Sequence, residues 1–180
     1  MIGIFHYHSA AMSYSFRRKL PDKTYLELGR RDLVLRTLTE EDSELVYQWR
    51  RDYAEYFFSP GPSSTEAQRK WFRKYKNVPE DIVFMIERRE RPVGMVSLYE
   101  IDLEESQGAF GRFLVTADVR GQGVGKQAAR YVVDFARTLG LSKLYLSTST
   151  KNVAAVKLYE DMGFKEQSRD GEVLQYLLRL

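Results

Sequence analysis

The sequence predicts a single α/β domain of the α+β kind, and three observations lead there. Three apolar, β-prone segments follow one another with short links between residues 82 and 115, the pattern of an antiparallel meander. A strand–helix–strand unit then surrounds a glycine-rich loop at 120–126. The C-terminal part reads as a helix followed by a hairpin. A chain of 180 residues fits one domain and can bury a sizeable core.

Each element has its own signal. Residues 1–23 show no clean period and read as an N-terminal extension ahead of a domain at 24–180. Leu26 and Leu28 alternate, Gly29 to Asp32 is a turn signal, and Leu33, Leu35 and Thr37 alternate again, giving two short strands. Thr39 is an N-cap type residue with Glu40, Glu41 and Asp42 behind it, where negative charge suits a helix dipole. Leu45, Trp49 and Tyr53 line that helix, and the loop Ser59 to Ser64 ends it. A second helix is predicted over 65–75, with Trp71, Phe72 and Tyr75 on one side. The meander strands are Ile82–Glu87, Pro92–Ile101 and Gly108–Val115. Beyond the glycine-rich loop, Val124, Ala128, Val132, Phe135, Ala136 and Leu139 recur at helical spacing, with Gly140 at the C-cap. Leu144–Thr148 is a further strand. Asn152 opens the last helix, Gly163 stops it, and the final hairpin turns at Asp170-Gly171.

Composition removes several classes of function. Hydrophobic residues make up 43% and charged residues 29%, ordinary for a soluble globular protein. A net charge of +3, spread along the chain, mildly suits an anionic ligand but is no nucleic-acid footprint. No apolar run approaches the roughly 20 residues that cross a bilayer. The opening apolar stretch is short and no charged region precedes it, so no signal peptide is expected and a cytoplasmic protein is the default. Without cysteine there is no disulfide, thiol nucleophile or thiolate metal site. His6 and His8 are two ligands with no others in view, so no metal is expected.

The loop Arg120-Gly121-Gln122-Gly123-Val124-Gly125-Lys126 places three glycines in five positions before an amphipathic helix. Glycines let backbone amides approach a ligand, and a helix N-terminus offers unpaired donors with partial positive charge. A phosphate-bearing ligand suits both features, while a tight loop that needs glycine only to turn stays open. A P-loop is excluded, because Arg120 stands where it needs its first glycine and Gln127 where it needs Ser or Thr. Gly123 to Ala128 fits the dinucleotide fingerprint, but that loop should leave the strand directly, and no acid follows in the next strand.

Taken together, the motifs resemble the GNAT superfamily, the general N-acetyltransferases, over roughly Leu28 to Leu180. Arg120, Gly123 and Gly125 match its first motif after the strand end Phe113-Leu114-Val115. Asn152, Ala155, Tyr159, Gly163 and Phe164 match its second. The resemblance implies a mixed, mostly antiparallel twisted sheet of about six or seven strands, flanked by about four helices and splayed at the central strand pair. It implies that acetyl-CoA lays its pantetheine arm along Phe113, Leu114 and Val115. The pyrophosphate would sit on the amides of Gln122 to Lys126, and Asn152 would fix the pantetheine region.

The implied chemistry is direct transfer to an amine, with a backbone N–H near Phe113 to Val115 facing the oxyanion. Without cysteine, no acyl-cysteine intermediate can form. Tyr159 resembles the family's general acid for the leaving sulfur, against the plainer reading of a core aromatic. A glutamate that many relatives use as base is replaced by Ala109 when Gly111 is aligned with the family's glycine. Glu100 is a candidate substitute, against the plainer reading of an exposed charge at a strand end.

Leu35-Arg36, Glu41-Asp42, Trp49-Arg50 and Trp71-Phe72 resemble the branch of ribosomal-protein, spermidine and nucleotide-amino-sugar acetyltransferases. In that branch the first two helices and their loop contact the acceptor. Here the region holds Tyr53, Tyr56, Phe57, Phe58 and Tyr75, which could stack on a base or sugar. Its basic residues Arg50, Arg51, Arg69, Lys70, Arg73 and Lys74 speak against a polyamine and for a phosphate-bearing or acidic acceptor. The expectation is therefore a small-molecule amine, for example a nucleotide-linked amino sugar. A protein N-terminus and a non-catalytic acyl-CoA-binding domain are the alternatives. No nucleic-acid or membrane partner is expected, and self-association as a homodimer is left open.

Overall fold

Ile82-Val83-Phe84-Met85-Ile86 shows how the sheet is buried. All five are 0% exposed, and alternate residues serve opposite faces. Ile82, Phe84 and Ile86 pack into the larger core, while Val83 and Met85 enter a second one. A strand apolar on both faces needs cover on both, so helices lie on either side. The computed structural model describes residues 32–180 and two short strands, β1 (Ile4–Phe5) and β2 (Tyr25–Leu26). His6, His8, the predicted loop at 13–22 and the turn at Gly29-Arg30-Arg31 lie outside the described residues.

The remaining strands are β3 (Leu33–Thr37), β4 (Ile82–Arg88), β5 (Arg91–Asp102), β6 (Gln107–Val115), β7 (Lys143–Ser149), β8 (Lys165–Asp170) and β9 (Val173–Arg179). They form one sheet in the order β1-β2-β3-β4-β5-β6-β7-β9-β8. Every pairing is antiparallel except β1–β2 and β6–β7. Helices α1 (Ser43–Asp52) and α2 (Thr65–Tyr75) cover one face through Val46, Trp49, Phe72 and Tyr75. Helices α3 (Val124–Thr138) and α4 (Val153–Asp161) bring Val132, Phe135 and Tyr159 to the other. Among the described residues no helix is long and apolar enough to cross a membrane.

The helix predicted from Thr39 starts later than its cap signal. A 3-10 turn at Glu40–Asp42 comes first, and α1 begins at Ser43. Asp42 explains the delay, because its carboxylate accepts from the Thr39 N–H (2.8 Å) and bridges back to Arg36 (2.7 and 2.8 Å). Arg36 also binds Glu87 of β4 at 2.6 Å, so a buried ion triad ties β3, the turn and β4 together. Burial alone would lower the Arg36 guanidinium, but hydrogen bonds and charges from Asp42 and Glu87 outweigh it and raise it.

Strands β5 and β6 slip twice in their register. Arg112 and Phe113 together oppose Val96, and Glu100 and Ile101 together oppose Gly108. Arg112 (φ 46°) and Glu100 (φ 50°) adopt the left-handed conformation at these bulges. Between the slip at Arg112 and the strand end, the two backbones come very close at Gly94. A Cβ added there would stand 2.2 Å from the Leu114 carbonyl oxygen. Glycine is therefore required by space.

Candidate active site

Strands β6 and β7 run parallel only from Gln107 opposite Lys143 to Ala109 opposite Tyr145. Beyond that point they part, and the edge of β6 from Phe110 to Val115 has no partner strand among the described residues. The expected splay therefore lies where parallel pairing fails. The turn after β6 carries the chain to the glycine-rich loop, which opens α3 on the same side.

Gly121 (φ 74°) and Gly123 (φ 78°) are both left-handed, with open space where a Cβ would be. Backbone conformation demands glycine at these two positions. Gly125 differs, because a Cβ there would touch the Phe113 ring (3.4 Å) and Val115 (3.5 Å). These are ordinary contact distances, so neither space nor conformation demands glycine at this position. The Gln127 N–H is bonded to the Gly123 carbonyl (3.0 Å), so the amides of Val124, Gly125 and Lys126 precede any intrahelical acceptor. These amides and the positive end of a 15-residue helix form an anion seat.

A groove of about 530 Å³ runs from this seat, lined by Phe113, Leu114, Val115, Arg120, Gly121, Gly123, Gly125, Lys126 and Asn152 among others. Two residues of the predicted set do not line it. Val124 is buried in the core, while the Gln122 side chain donates to the Asp118 carbonyl (2.9 Å) and accepts from Arg88, bracing the loop. Arg120 turns back, with Nε on the Val115 carbonyl (3.0 Å) and its guanidinium over the rings of Tyr53 (5.2 Å) and Tyr56 (5.1 Å). Lys126 approaches Asp161 at 3.5 Å. Asn152 caps α4 by accepting from the Ala155 N–H (3.2 Å), which leaves its amide NH₂ for a ligand.

The groove shares Tyr56, Phe113 and Asn152 with a second cavity of about 320 Å³ that holds Tyr159. The Tyr159 ring is held edge-on by Phe110 (5.8 Å) and Phe164 (5.9 Å). Its hydroxyl has no hydrogen-bond partner among the described residues. Burial, aided by Tyr99, raises its ionisation well above the ordinary tyrosine value near 10. The hydroxyl thus keeps its proton, and Tyr159 lines the cavity.

Glu100 is exposed at its bulge and lines none of the three cavities. The carboxylate that lines the second cavity is Glu55, in the 3-10 turn Ala54–Tyr56 after α1. A third cavity of about 370 Å³, beneath α1, α2 and their loop, shares Arg50, Ser59 and Arg112 with the second. Sequence reasoning missed Arg112, Tyr99 and Ser147 to Ser149 as parts of the site. None stands in a motif, and only strand pairing brings them together.

The arrangement has known counterparts. Residues 32–165 match the Acetyltransferase (GNAT) domain family. The spermidine N(1)-acetyltransferase of Vibrio cholerae is 26% identical over 139 residues, 75% of this chain and 80% of that protein. Human N-acetyltransferase 8 is 36% identical over 86 residues, 46% of this chain. The chain spans only 38% of the human protein and 29% of an uncharacterized Methanocaldococcus jannaschii relative, to which it is 22% identical. In structure, the Vibrio cholerae spermidine N-acetyltransferase in complex with CoA and spermine superimposes with a TM-score of 0.76 at 22% identity. That match covers 83% of this chain and 96% of the other. With the splayed strands, the glycine-rich helix start and most of the chain matched, this protein belongs to the GNAT acetyltransferase family.

Proposed function

We propose that this chain transfers an acetyl group from acetyl-CoA directly to a primary amine of a small molecule. One observation carries the reading. Tyr159 lines a cavity continuous with the groove that ends at the free amides of α3. A groove with an anion seat at one end and a proton donor at the other matches a thioester on a diphosphate-bearing carrier.

The residues divide the work. Amides of Val124, Gly125 and Lys126, with the Lys126 side chain, hold the pyrophosphate, and the free edge of β6 pairs with the pantetheine amides. A backbone N–H of the Phe113 bulge faces the thioester oxygen as it gains charge. The neutral amine attacks the carbonyl carbon, so a C–N bond forms and the C–S bond breaks. Tyr159 gives its proton to the departing sulfur. The amine's proton leaves through the open cavity, where Glu55 is better placed than Glu100 to receive it. A nucleotide-linked amino sugar is one acceptor of the expected kind. The comparisons lend a protein N-terminus no support.

The test is CoA release from acetyl-CoA across a panel of primary amines, read by thiol detection, beside thermal protection by acetyl-CoA. Transfer requires both amine-dependent release and protection. Protection without release from any amine would instead favour a binding domain.

A further inference from the structure

We infer that Arg50 and Arg112 form an oxyanion site in the acceptor cavities, so that the amine substrate carries a carboxylate or phosphate group. That this anion belongs to the acceptor rests on the transfer reading above. Arg50 comes from α1 and Arg112 from the β6 bulge, and both line both cavities beyond the donor groove.

Arg50 is held in place without being neutralised. Its Nη2 donates to the Ser59 carbonyl (2.8 Å), the Ser59 hydroxyl (3.0 Å) and the Pro60 carbonyl (3.2 Å). Its guanidinium lies 3.9 Å from the centre of the Phe57 ring. No carboxylate among the described residues pairs with it, and Nε and Nη1 keep their donors. Burial lowers its affinity for the proton, and Arg112 lowers it further. Two guanidiniums brought this close oppose each other unless an anion joins them.

Arg112 is half-neutralised. Its Nη1 meets Asp81 at 2.6 Å and its guanidinium stacks 4.6 Å over Tyr99, while Nε and Nη2 make no hydrogen bond among the described residues. The cavity under α1 and α2 has no acidic lining residue, and the Tyr159 cavity has only Glu55. A polyamine needs carboxylates there. A fork of planar donors instead suits a carboxylate or phosphate. Because Arg112 adjoins Phe113, the anion would sit beside the reacting carbonyl and orient the amine toward it.

Matched acceptors test this: glycine against glycinamide, phosphoethanolamine against ethanolamine, and spermidine. The wild type should favour the anionic member of at least one pair by about tenfold to a hundredfold in kcat/KM, the span of one or two charge-assisted hydrogen bonds. Preference within the first pair alone identifies a carboxylate site, and within the second alone a phosphate site. In Arg50→Gln the ratio should fall to about one. Arg50→Lys, which keeps the charge and loses the fork, should fall between them. Equal or better turnover of the neutral member in both pairs, or of spermidine over both anionic amines, would overturn the inference, as would an unchanged ratio in Arg50→Gln. If no amine is acetylated, the transfer reading fails first, and inorganic phosphate decides the site. Thermal stabilisation by phosphate should be smaller in Arg50→Gln than in the wild type, and equal stabilisation rejects the site.

Discussion

Tyr159→Phe separates catalysis from stability with unusual clarity. The substitution removes one hydroxyl and keeps the ring between Phe110 and Phe164. A neutral intramolecular hydrogen bond contributes about 0.5–1.5 kcal/mol, but the described residues offer none here to lose, so unfolding free energy should change by less than about 0.5 kcal/mol. Loss of a general acid should lower kcat by about 10²–10⁴. At about 1.36 kcal/mol per tenfold, that is roughly 2.7–5.4 kcal/mol of barrier. Tyr176→Phe is the opposite control. Its hydroxyl donates to the Glu160 carboxylate at 3.0 Å, so it should lose about 1.5–3 kcal/mol of stability and keep its rate. The assay is thiol release with both substrates saturating, beside thermal unfolding. The pH profile adds a sign. Because burial raises Tyr159, its protonated form persists to higher pH, and kcat should show no fall centred at or below about 10 from this group. Unchanged kcat in Tyr159→Phe would refute the acid role.

Further substitutions probe the donor seat and the frame. Gly123→Ala must hold φ 78° with a Cβ, at about 1–2 kcal/mol, so KM for acetyl-CoA should rise about 5–30-fold; an unchanged KM would show that this loop does not hold the donor. Gly94→Ala drives a Cβ onto the Leu114 carbonyl and should cost at least about 1–3 kcal/mol in urea unfolding, with a loss of rate because the strand beside the bulge must shift. Asp42→Ala leaves the buried Arg36 with Glu87 alone and should cost about 3–5 kcal/mol; a loss below about 1 kcal/mol would mean that water or movement relieves the charge.

Local signals made most of the fold legible. The helix over 65–75 begins behind Ser64, whose hydroxyl accepts from the Ala67 N–H, and a capping residue is visible in sequence. Gly140 and Gly163 stop their helices with positive φ, and Gly171 turns the last hairpin, each where a glycine already marked a boundary. The two bulges were not legible. Glu100 and Arg112 carry no glycine or asparagine signal, because strand registers on either side force their conformations. The charged turn between β4 and β5 was legible in place but not in conformation, since Arg89 and Glu90 both take positive φ in a two-residue hairpin that ordinarily favours Asn-Gly.

The same division separates the donor site from the acceptor site. Arg120 to Lys126 and Asn152 to Tyr159 each lie within one turn or helix, so chain connectivity alone assembles their chemistry and a motif can record it. The acceptor cavities draw on Arg50 and Ser59 from the first helical unit, Tyr99 and Arg112 from two paired strands, and Ser147 to Ser149 from across the splay. Sheet order sets these distances, and no spacing along the chain encodes it. The bulge matters most, since without an extra residue between Gly111 and Leu114 the alternation of β6 would place Arg112 differently relative to Phe113. On the proposed transfer reading, one inserted residue in a strand thus couples the backbone assigned to the thioester to the cation assigned to the acceptor. Deleting either Arg112 or Phe113 should disturb both sites at once, whereas Arg50→Gln should alter acceptor choice while leaving the KM for acetyl-CoA within about twofold of the wild type, a change of about 0.4 kcal/mol.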